Sequence, residues 1–140
     1  MVDMQRHARH LALPHVGIEG QEKLAKAKVF VVGAGGLGSP VLLYLAAAGI
    51  GTIGIIDDDR VDISNLQRQV LHRTEDIGRL KVESAKQQLL ALDPNLSIVE
   101  HNERLNPENA LALFSGWDIV VDGTDNIPTR YLIDDACHLL

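Results

Sequence analysis

A glycine-rich turn, Gly-Ala-Gly-Gly-Leu-Gly at residues 33–38, constrains the fold of this chain more than any other segment. The residues before it, Lys28–Val32, are mostly β-branched and apolar, and they predict a buried strand. Residues 37–48 are rich in leucine and alanine and predict a helix, in which Pro40 is tolerated because it lies in the first turn. A strand, a Gly-x-Gly-x-x-Gly turn and a helix in this order are typical of a unit that binds a nucleotide or dinucleotide.

Strand and helix patterns alternate along the rest of the chain. We expect strands at Thr52–Ile56, 96–100 and 118–121, and helices at 18–27, 80–92, 108–114 and from 129 onward. This order predicts an α/β, Rossmann-like fold, a parallel sheet with helices on both faces that is preceded by an N-terminal helix. We divide it into an N-terminal helical arm at 1–27 and a Rossmann-like nucleotide-binding region at 28–140. The chain stops inside the last predicted helix, so we expect this region to be truncated.

Composition excludes several classes of protein. With 140 residues, 46% apolar and 23% charged, the chain is long enough for one globular domain with a real core. Its net charge of −6 argues against a nucleic-acid surface. The N-terminus lacks the apolar core of a signal peptide, and glycines divide the apolar run at 40–56, which we interpret as a helix and a strand and not as a membrane span. We therefore expect a cytoplasmic protein.

The glycines of the turn have separate physical roles. Gly33 allows the tight turn after the strand, Gly35 lets the backbone approach a phosphate, and Gly38 lets helix and strand pack closely. The N-terminus of the following helix offers free N–H groups and a partial positive charge to an anion. Asp57 follows Gly38 at about the spacing of 20 that is usual for a carboxylate bonding ribose hydroxyls. A nicotinamide site would have the same features.

The segment Ser-Asn-Leu-Gln-Arg-Gln at residues 64–69 goes beyond what nicotinamide binding requires. Asn65 supplies an amide, and Arg68 supplies a fixed fork of donors suited to phosphate. Lys81 lies in the first turn of the next predicted helix, where a cation opposes the helix dipole unless a negative group is near. An ordinary surface lysine there is an equally good interpretation.

The loop Gly-Thr-Asp-Asn at residues 123–126 follows the fourth predicted strand. Loops at the carboxyl ends of parallel strands are where ligands bind in such sheets. The carboxylate of Asp125 is suited to hold Mg²⁺ beside phosphates, or to serve as the N-cap of the following helix. For Asp58, a solvated strand end is the better interpretation.

Together these motifs resemble those of the ThiF/MoeB family, the bacterial relatives of ubiquitin-activating enzyme. The resemblance runs from about Arg6 to the last residue and rests on residues 33–38, 57–59, 64–69, 81–85 and 124–126. The family uses ATP and Mg²⁺ to adenylate the C-terminal glycine of a ubiquitin-fold sulfur-carrier protein. The resemblance therefore implies an adenylyltransferase of thiamine, molybdopterin or related sulfur transfer, with the pathway left open.

The resemblance also implies roles for individual residues. Asp57 or Asp59 would bind the ribose, Asp125 would help place Mg²⁺, and Arg9 would reach the ATP of the other subunit in a homodimer. Arg68, Lys81, Asp125 and Arg9 are the implied catalytic residues. The implied nucleotide-binding residues are Gly33, Gly35, Gly36, Gly38, Asp57, Asp59, Asn65, Arg68, Gln69, Lys81, Asp125 and Asn126.

Length is where the chain departs from the family. Family members continue well beyond it, with paired Cys-x-x-Cys zinc ligands, whereas Cys137 is the only cysteine here. We expect Cys137 to be a buried core residue and not a nucleophile, and His7 and His10 to lie on a solvated face. We also expect residues 1–140 alone to hold the nucleotide without turnover. Two alternatives stay open: an NAD- or FAD-binding module of an oxidoreductase, and a related adenylating enzyme acting on a tRNA base or a peptide.

Overall fold

Four parallel strands form one sheet in a computed structural model that describes residues 1–140. The sheet has the order β3-β2-β1-β4, with β1 at Lys28–Val32, β2 at Thr52–Ile56, β3 at Ser97–His101 and β4 at Ile119–Asp122. Within the register, Val29 of β1 lies between Ile53 of β2 and Ile119 of β4. The predicted parallel sheet is confirmed, with β3 and β4 one residue later than expected.

Helices cover both faces of this sheet, as predicted. They are α1 at Ala8–Leu11, α2 at Gly17–Lys26, α3 at Gly38–Ala48, α4 at Lys81–Leu92, α5 at Ala110–Phe114 and α6 at Ile127–Leu139. Alternate side chains of β1 enter two cores, because successive residues of a strand point to opposite faces. Val29 and Val31 pack with α3 and α4, whereas Phe30 and Val32 pack with α5 and α6. None of the helices has the length and apolar character needed to cross a membrane.

Three helix starts were not read correctly from the sequence, and one of them is that of α5, which begins at Ala110, two residues later than expected. The last helix, α6, begins at Ile127, two residues earlier than expected, because the side chain of Asn126 accepts from the N–H of Thr129 and Pro128 occupies the first turn. The short α1 was not predicted. Its four residues bury no side chain, so they carry no hydrophobic periodicity.

The expectation that His7 and His10 lie on a solvated face is wrong. His7 is buried and lies against Gly49 at the end of α3. The Nδ1 of His10 lies 2.9 Å from Oε1 of the buried Gln21, whose Nε2 donates to the carbonyl of Ala48 at 2.8 Å. The N-terminal arm is therefore attached to the end of α3 through polar side chains. No local pattern in the sequence predicts this contact.

The expectation that Cys137 is buried is also wrong, since its side chain is exposed. The buried residues of α6 are Ile133 and Ala136, and Cys137 is rotated by about 100° from Ala136 around the helix. Partial desolvation, with Asp134 nearby, raises the pKa of the Cys137 thiol. A thiol with a raised pKa is a weak nucleophile at neutral pH.

Candidate functional site

A cavity of about 680 Å³ opens at the carboxyl edge of the sheet. All four strands are parallel, so the loops that follow them meet at this edge, where ligands bind in open α/β sheets. Most of the residues singled out from the sequence line the cavity: Gly33, Gly35, Gly36, Asp57, Asp59, Arg68, Gln69, Lys81, Asp125 and Asn126. Glu103, Arg104 and Leu105 after β3 also line it, and sequence reasoning missed them.

The glycine turn after β1 is fixed by close backbone approaches. Gly33 has a φ of 97°, which favours glycine. A Cβ on Gly38 would lie 1.8 Å from the carbonyl oxygen of Gly33, so no other residue fits there without a backbone shift. The N–H groups of Gly35, Gly36 and Leu37 donate to no protein group. Free donors at a helix start form an anion site, which agrees with the role expected for the turn.

A glycine of the fourth loop also belongs to this arrangement and was missed. A Cβ on Gly123 would lie 2.8 Å from the carbonyl oxygen of Val32 and 3.3 Å from the Cα of Gly38. The N–H of Gly123 donates to Val32 at 2.8 Å, so the loop after β4 lies directly against the turn after β1. The sequence showed Gly123 beside Asp125, but only the pairing of β4 with β1 explains why a glycine is needed.

Asp57 connects the end of β2 to the glycine turn. Its Oδ2 accepts from the N–H of Ala34 at 2.9 Å, and its Oδ1 accepts from the N–H of Asp59 at 2.9 Å. Each carboxylate oxygen retains a further lone pair, so the half-buried group still accepts hydrogen bonds from hydroxyls in the cavity. Asp58 is exposed, as expected for a solvated strand end, although it lies at the cavity rim.

Lys81 is the first residue of α4 and only 6% exposed, so the interpretation as an ordinary surface lysine is wrong. Its Nζ lies 3.7 Å from Oδ2 of Asp59, and its backbone N–H donates to the carbonyl of Asp59 at 3.0 Å. Asp59 is thus the negative group that offsets an unfavourable position for a cation at a helix N-terminus.

Arg68 supplies the second cation of the cavity. Its Nη1 donates to the carbonyl of Ser64 at 3.2 Å, and its aliphatic stem lies beside Gly36. The guanidinium forms no ion pair in the chain, so its other donors remain available to an anion.

The other two residues of the 64–69 segment that the sequence singled out differ in position. Asn65 does not line the cavity, and its Oδ1 accepts from the N–H of Asp62 at 3.0 Å within a short 3₁₀ turn, Ile63–Asn65. Gln69 is 4% exposed and lies next to Gly35 at the cavity wall. Its Oε1 is buried without a hydrogen-bond partner, although buried polar groups are normally paired.

The loop after β4 presents Asp125 to the cavity with its carboxylate free. Asp125 is exposed and makes no hydrogen bond or ion pair, and the N-cap of α6 is Asn126. The alternative that Asp125 serves as the N-cap is therefore wrong. Arg130 braces the loop by donating to the carbonyl of Thr124 at 2.7 Å. A free carboxylate beside an anion site is chemically suited to a divalent cation.

Arg9 does not line the cavity of its own chain. It lies on the exposed side of α1 in the N-terminal arm, which is attached to the opposite, amino edge of the sheet. Arg6 of this arm donates to the carbonyl of Leu92 at 2.9 Å, at the end of α4 that leads into β3. The role of Arg9 in a second subunit stays a prediction.

His72 is a buried residue behind the glycine turn that sequence reasoning missed. It is 5% exposed, with Nε2 2.8 Å from the carbonyl oxygen of Ala34 and Nδ1 2.8 Å from Oγ of Ser84. A carbonyl only accepts, so Nε2 carries the hydrogen and the neutral ring accepts from Ser84 at Nδ1. Burial lowers the pKa of His72, which favours this neutral form. In the sequence, His72 is a single histidine in the segment between β2 and α4, and no motif around it predicts that it is buried behind the glycine turn.

The chain matches the ThiF family over residues 7–140. It is 53% identical over 137 residues to the probable adenylyltransferase/sulfurtransferase MoeZ of Mycobacterium tuberculosis, covering 98% of this chain and 35% of that protein. It is 52% identical over 138 residues to the sulfur carrier protein adenylyltransferase of Thermus thermophilus, covering 99% of this chain and 51% of that protein. The chain thus spans between about a third and a half of these relatives.

Solved structures resemble the fold closely. Escherichia coli tRNA N6-threonylcarbamoyladenosine dehydratase, TcdA, in complex with ATP, superposes with a TM-score of 0.91 at 27% identity. The match covers 97% of this chain and 56% of that one.

Proposed function

The chain belongs to the ThiF family, and we propose that it is the nucleotide-binding part of an adenylyltransferase that activates the C-terminal glycine of a ubiquitin-fold sulfur carrier. The reaction consumes ATP and releases pyrophosphate. The names of the Mycobacterium and Thermus relatives support the class of reaction, and the ATP complex of the Escherichia coli structure supports the nucleotide. Because this chain spans only part of those proteins, the activity and the partner are proposals about the protein in which residues 1–140 act.

One observation carries the proposal: donors for phosphate and an acceptor for ribose line a single cavity. The free N–H groups of the glycine turn, the Lys81 ammonium and the Arg68 guanidinium are suited to a triphosphate. The Asp57 carboxylate accepts from hydroxyl groups, which suits a ribose. Asp59 is already engaged with Lys81, so of the two acidic candidates we assign the ribose to Asp57 and the positioning of Lys81 to Asp59.

The other predicted residues take subsidiary roles. Gln69 and Asn126 line the cavity and are assigned to nucleotide binding. Asn65 does not line the cavity of this chain, so its assignment to the phosphates rests on the family resemblance and on its amide nitrogen, since its oxygen already accepts from Asp62. The arm at 1–27 brings Arg9 to the nucleotide of a second subunit in a homodimer, and the region at 28–140 binds the nucleotide. The arm's attachment at the far edge of the sheet supports a role outside its own cavity.

The proposed chemistry needs no nucleophile from the protein. The carboxylate of the carrier's terminal glycine attacks the α-phosphorus of ATP, the bond from that phosphorus to the bridging oxygen breaks, and pyrophosphate departs. Arg68 and Lys81 stabilise the negative charge that moves to the leaving group. Cys137, the only thiol, is outside the cavity and has a raised pKa.

The free carboxylate of Asp125 fits Mg²⁺, which when bound neutralises phosphate charge. Asp125 therefore holds the cation in this proposal, from the loop after β4 that packs against the glycine turn. The zinc site of the family needs paired cysteines, which these 140 residues do not supply.

The alternatives are less well supported. A nicotinamide or flavin site does not require Lys81 and Arg68 in the same cavity as the glycine turn. A tRNA-base substrate is named for the Escherichia coli structure, but its identity of 27% is about half that of the sulfur-carrier relatives. Between the sulfur pathways, the molybdopterin route is favoured over thiamine by relatives such as the probable molybdopterin-synthase adenylyltransferase of Porphyra purpurea. A cytoplasmic location agrees with this chemistry.

Calorimetric titration of the chain with ATP and MgCl₂, and in parallel with NAD, tests the nucleotide. We expect heat of binding with ATP and none with NAD. Binding of NAD while ATP is ignored would overturn the proposal. The carrier is identified by ATP–pyrophosphate exchange in the Thermus relative after its matching segment is replaced by residues 1–140. ATP–pyrophosphate exchange that depends on a sulfur carrier of either pathway supports adenylation of that carrier. If neither carrier gives exchange, sulfur carriers are rejected as the class of partner.

A further inference from the structure

His72 connects two elements that both line the cavity. Through Nε2 it holds the carbonyl of Ala34, inside the glycine turn after β1. Through Nδ1 it accepts from Ser84, in the first turn of α4, the helix that begins with Lys81. One imidazole therefore joins the backbone that supplies the N–H donors to the helix that supplies the ammonium group.

Ala34 is held from both sides. Its carbonyl accepts from His72, and its N–H donates to Asp57. The peptide groups on either side of this residue are thereby fixed in direction, and the next two residues, Gly35 and Gly36, present the free N–H groups. Glycines have no side chain to stabilise one conformation, so a turn this rich in glycine depends on such external contacts.

The surroundings favour the neutral form of His72 that this connection requires. Burial lowers its pKa most strongly, and the charge of Lys81 lowers it further. The bond to Ala34 and the charges of Asp76 and Asp57 act in the opposite direction. His72 does not line the cavity, so it contacts no ligand directly.

We propose that His72 is a positioning residue, which holds the glycine turn in its anion-binding conformation and fixes the distance between that turn and Lys81. The inference rests on the proposed binding of a nucleotide triphosphate, but the contact itself is a property of the ligand-free chain. Loss of His72 thus weakens recognition of phosphates and leaves recognition of adenosine nearly unchanged.

The test compares four histidine variants of the 140-residue chain. His72→Leu removes both hydrogen bonds, His72→Gln keeps a donor near the place of Nε2, and His72→Asn keeps a polar group only near Nδ1. His15→Leu, at an exposed histidine in the N-terminal arm, is the matched control. Affinities for ATP and for adenosine are measured for each by calorimetry.

We expect His72→Leu to weaken ATP on the order of tenfold, because a buried carbonyl loses its partner, and His72→Gln to restore most of the affinity. Adenosine should change by less than about twofold. A merely structural role would lower the folded fraction and weaken both ligands by the same factor. Equal losses for ATP and adenosine, or equal affinities for the Gln and Asn variants, would overturn the inference.

Hydrogen exchange without ligand separates this inference from the proposed function. The amide protons of Ala34 and Ser39, which are bonded to Asp57 and Gly35, report the turn, and those of β1 report the sheet. In His72→Asn we expect faster exchange in the turn and unchanged exchange in β1, with His72→Gln close to the wild type. If the wild type binds no ATP, the proposed function fails, and the exchange rates alone decide the role of His72. Unchanged exchange in the turn refutes it.

Discussion

The N–H of Ala34 donates to Oδ2 of Asp57 across 2.9 Å, so the acidic end of β2 is fastened to the glycine turn that follows β1. The same carboxylate holds the N–H of Asp59 through Oδ1, and Asp59 in turn lies 3.7 Å from Lys81. The Asp57 carboxylate, which we propose as the ribose acceptor, therefore connects the glycine turn to Asp59 and, through Asp59, to the Lys81 ammonium.

Asp57→Asn should weaken both the nucleotide site and the fold. The amide keeps one acceptor oxygen but loses the charge, and its nitrogen cannot accept from a backbone N–H. We expect a loss of about 1–3 kcal/mol in the free energy of unfolding and about tenfold in ATP affinity. Urea unfolding and calorimetry measure the two effects. Asp58→Asn, at an exposed neighbour in the same loop, should alter neither quantity appreciably.

Arg68→Ala should reduce catalysis more than stability. The side chain is exposed and makes only one protein hydrogen bond, so we expect the free energy of unfolding to change by less than about 1 kcal/mol. Removing a fixed charge contact to the transition state typically costs on the order of 10²–10³ in rate. Carrier-dependent ATP–pyrophosphate exchange in the Thermus chimaera measures this cost. Arg73→Ala, an exposed arginine outside the cavity, is the control, and equal exchange by the two variants would show that Arg68 does not contact phosphate.

Lys81→Met should lower the affinity for ATP and leave that for adenosine nearly unchanged, because we propose that the ammonium binds the phosphates and not the adenosine. Since Lys81 is buried and methionine has a similar length, the variant should fold. We expect a loss in ATP affinity of about tenfold or more. Lys86→Met tests the same change on α4 at a half-buried lysine paired with Glu100, and it should bind ATP like the wild type. Similar affinities for the two variants would contradict the assignment of Lys81.

Two glycines of the same turn should respond differently to alanine. A Cβ on Gly38 would lie 1.8 Å from the carbonyl oxygen of Gly33, whereas one on Gly36 would lie 3.7 Å from Arg68, an ordinary contact. We expect Gly38→Ala to cost more than about 3 kcal/mol or to prevent folding. Gly36→Ala should leave the free energy of unfolding unchanged or raise it slightly, because alanine reduces the freedom of the unfolded chain. Denaturant unfolding of the two variants checks the contrast, and equal costs would mean that the close approach at Gly38 is absent.

His72 should make the stability of the fold depend on pH. Burial lowers its pKa below the ordinary 6.5, so the unfolded chain binds this proton more tightly than the folded chain. Its contribution to stability is complete above about pH 6.5 and decreases as the pH falls toward the folded-state pKa. Urea unfolding at a series of pH values should therefore show a shallower decline for His72→Gln than for the wild type. His15→Gln, at an exposed histidine, should keep the wild-type slope, and identical slopes for all three proteins would show that His72 titrates normally.

The sheet was predictable because its signals are local. β1 and β2 have the bounds expected from their apolar runs. Gly33 follows the last residue of β1, and Gly51 precedes the first residue of β2. The helices α3 and α4 begin within one residue of expectation, since leucine and alanine recur at helical spacing. The start of α6 was missed because it depends on one side-chain hydrogen bond from Asn126.

The sequence by itself determined the order of the elements, the glycine turn and most of the residue types in the cavity, since each depends on neighbours along the chain. Only the tertiary structure decided the burial of His7, the exposure of Cys137 and the pairing of Lys81 with Asp59. It alone placed His72 between Ala34 and Ser84. These contacts join segments distant in sequence, and their energies depend on burial and distance, which no local pattern of residues specifies.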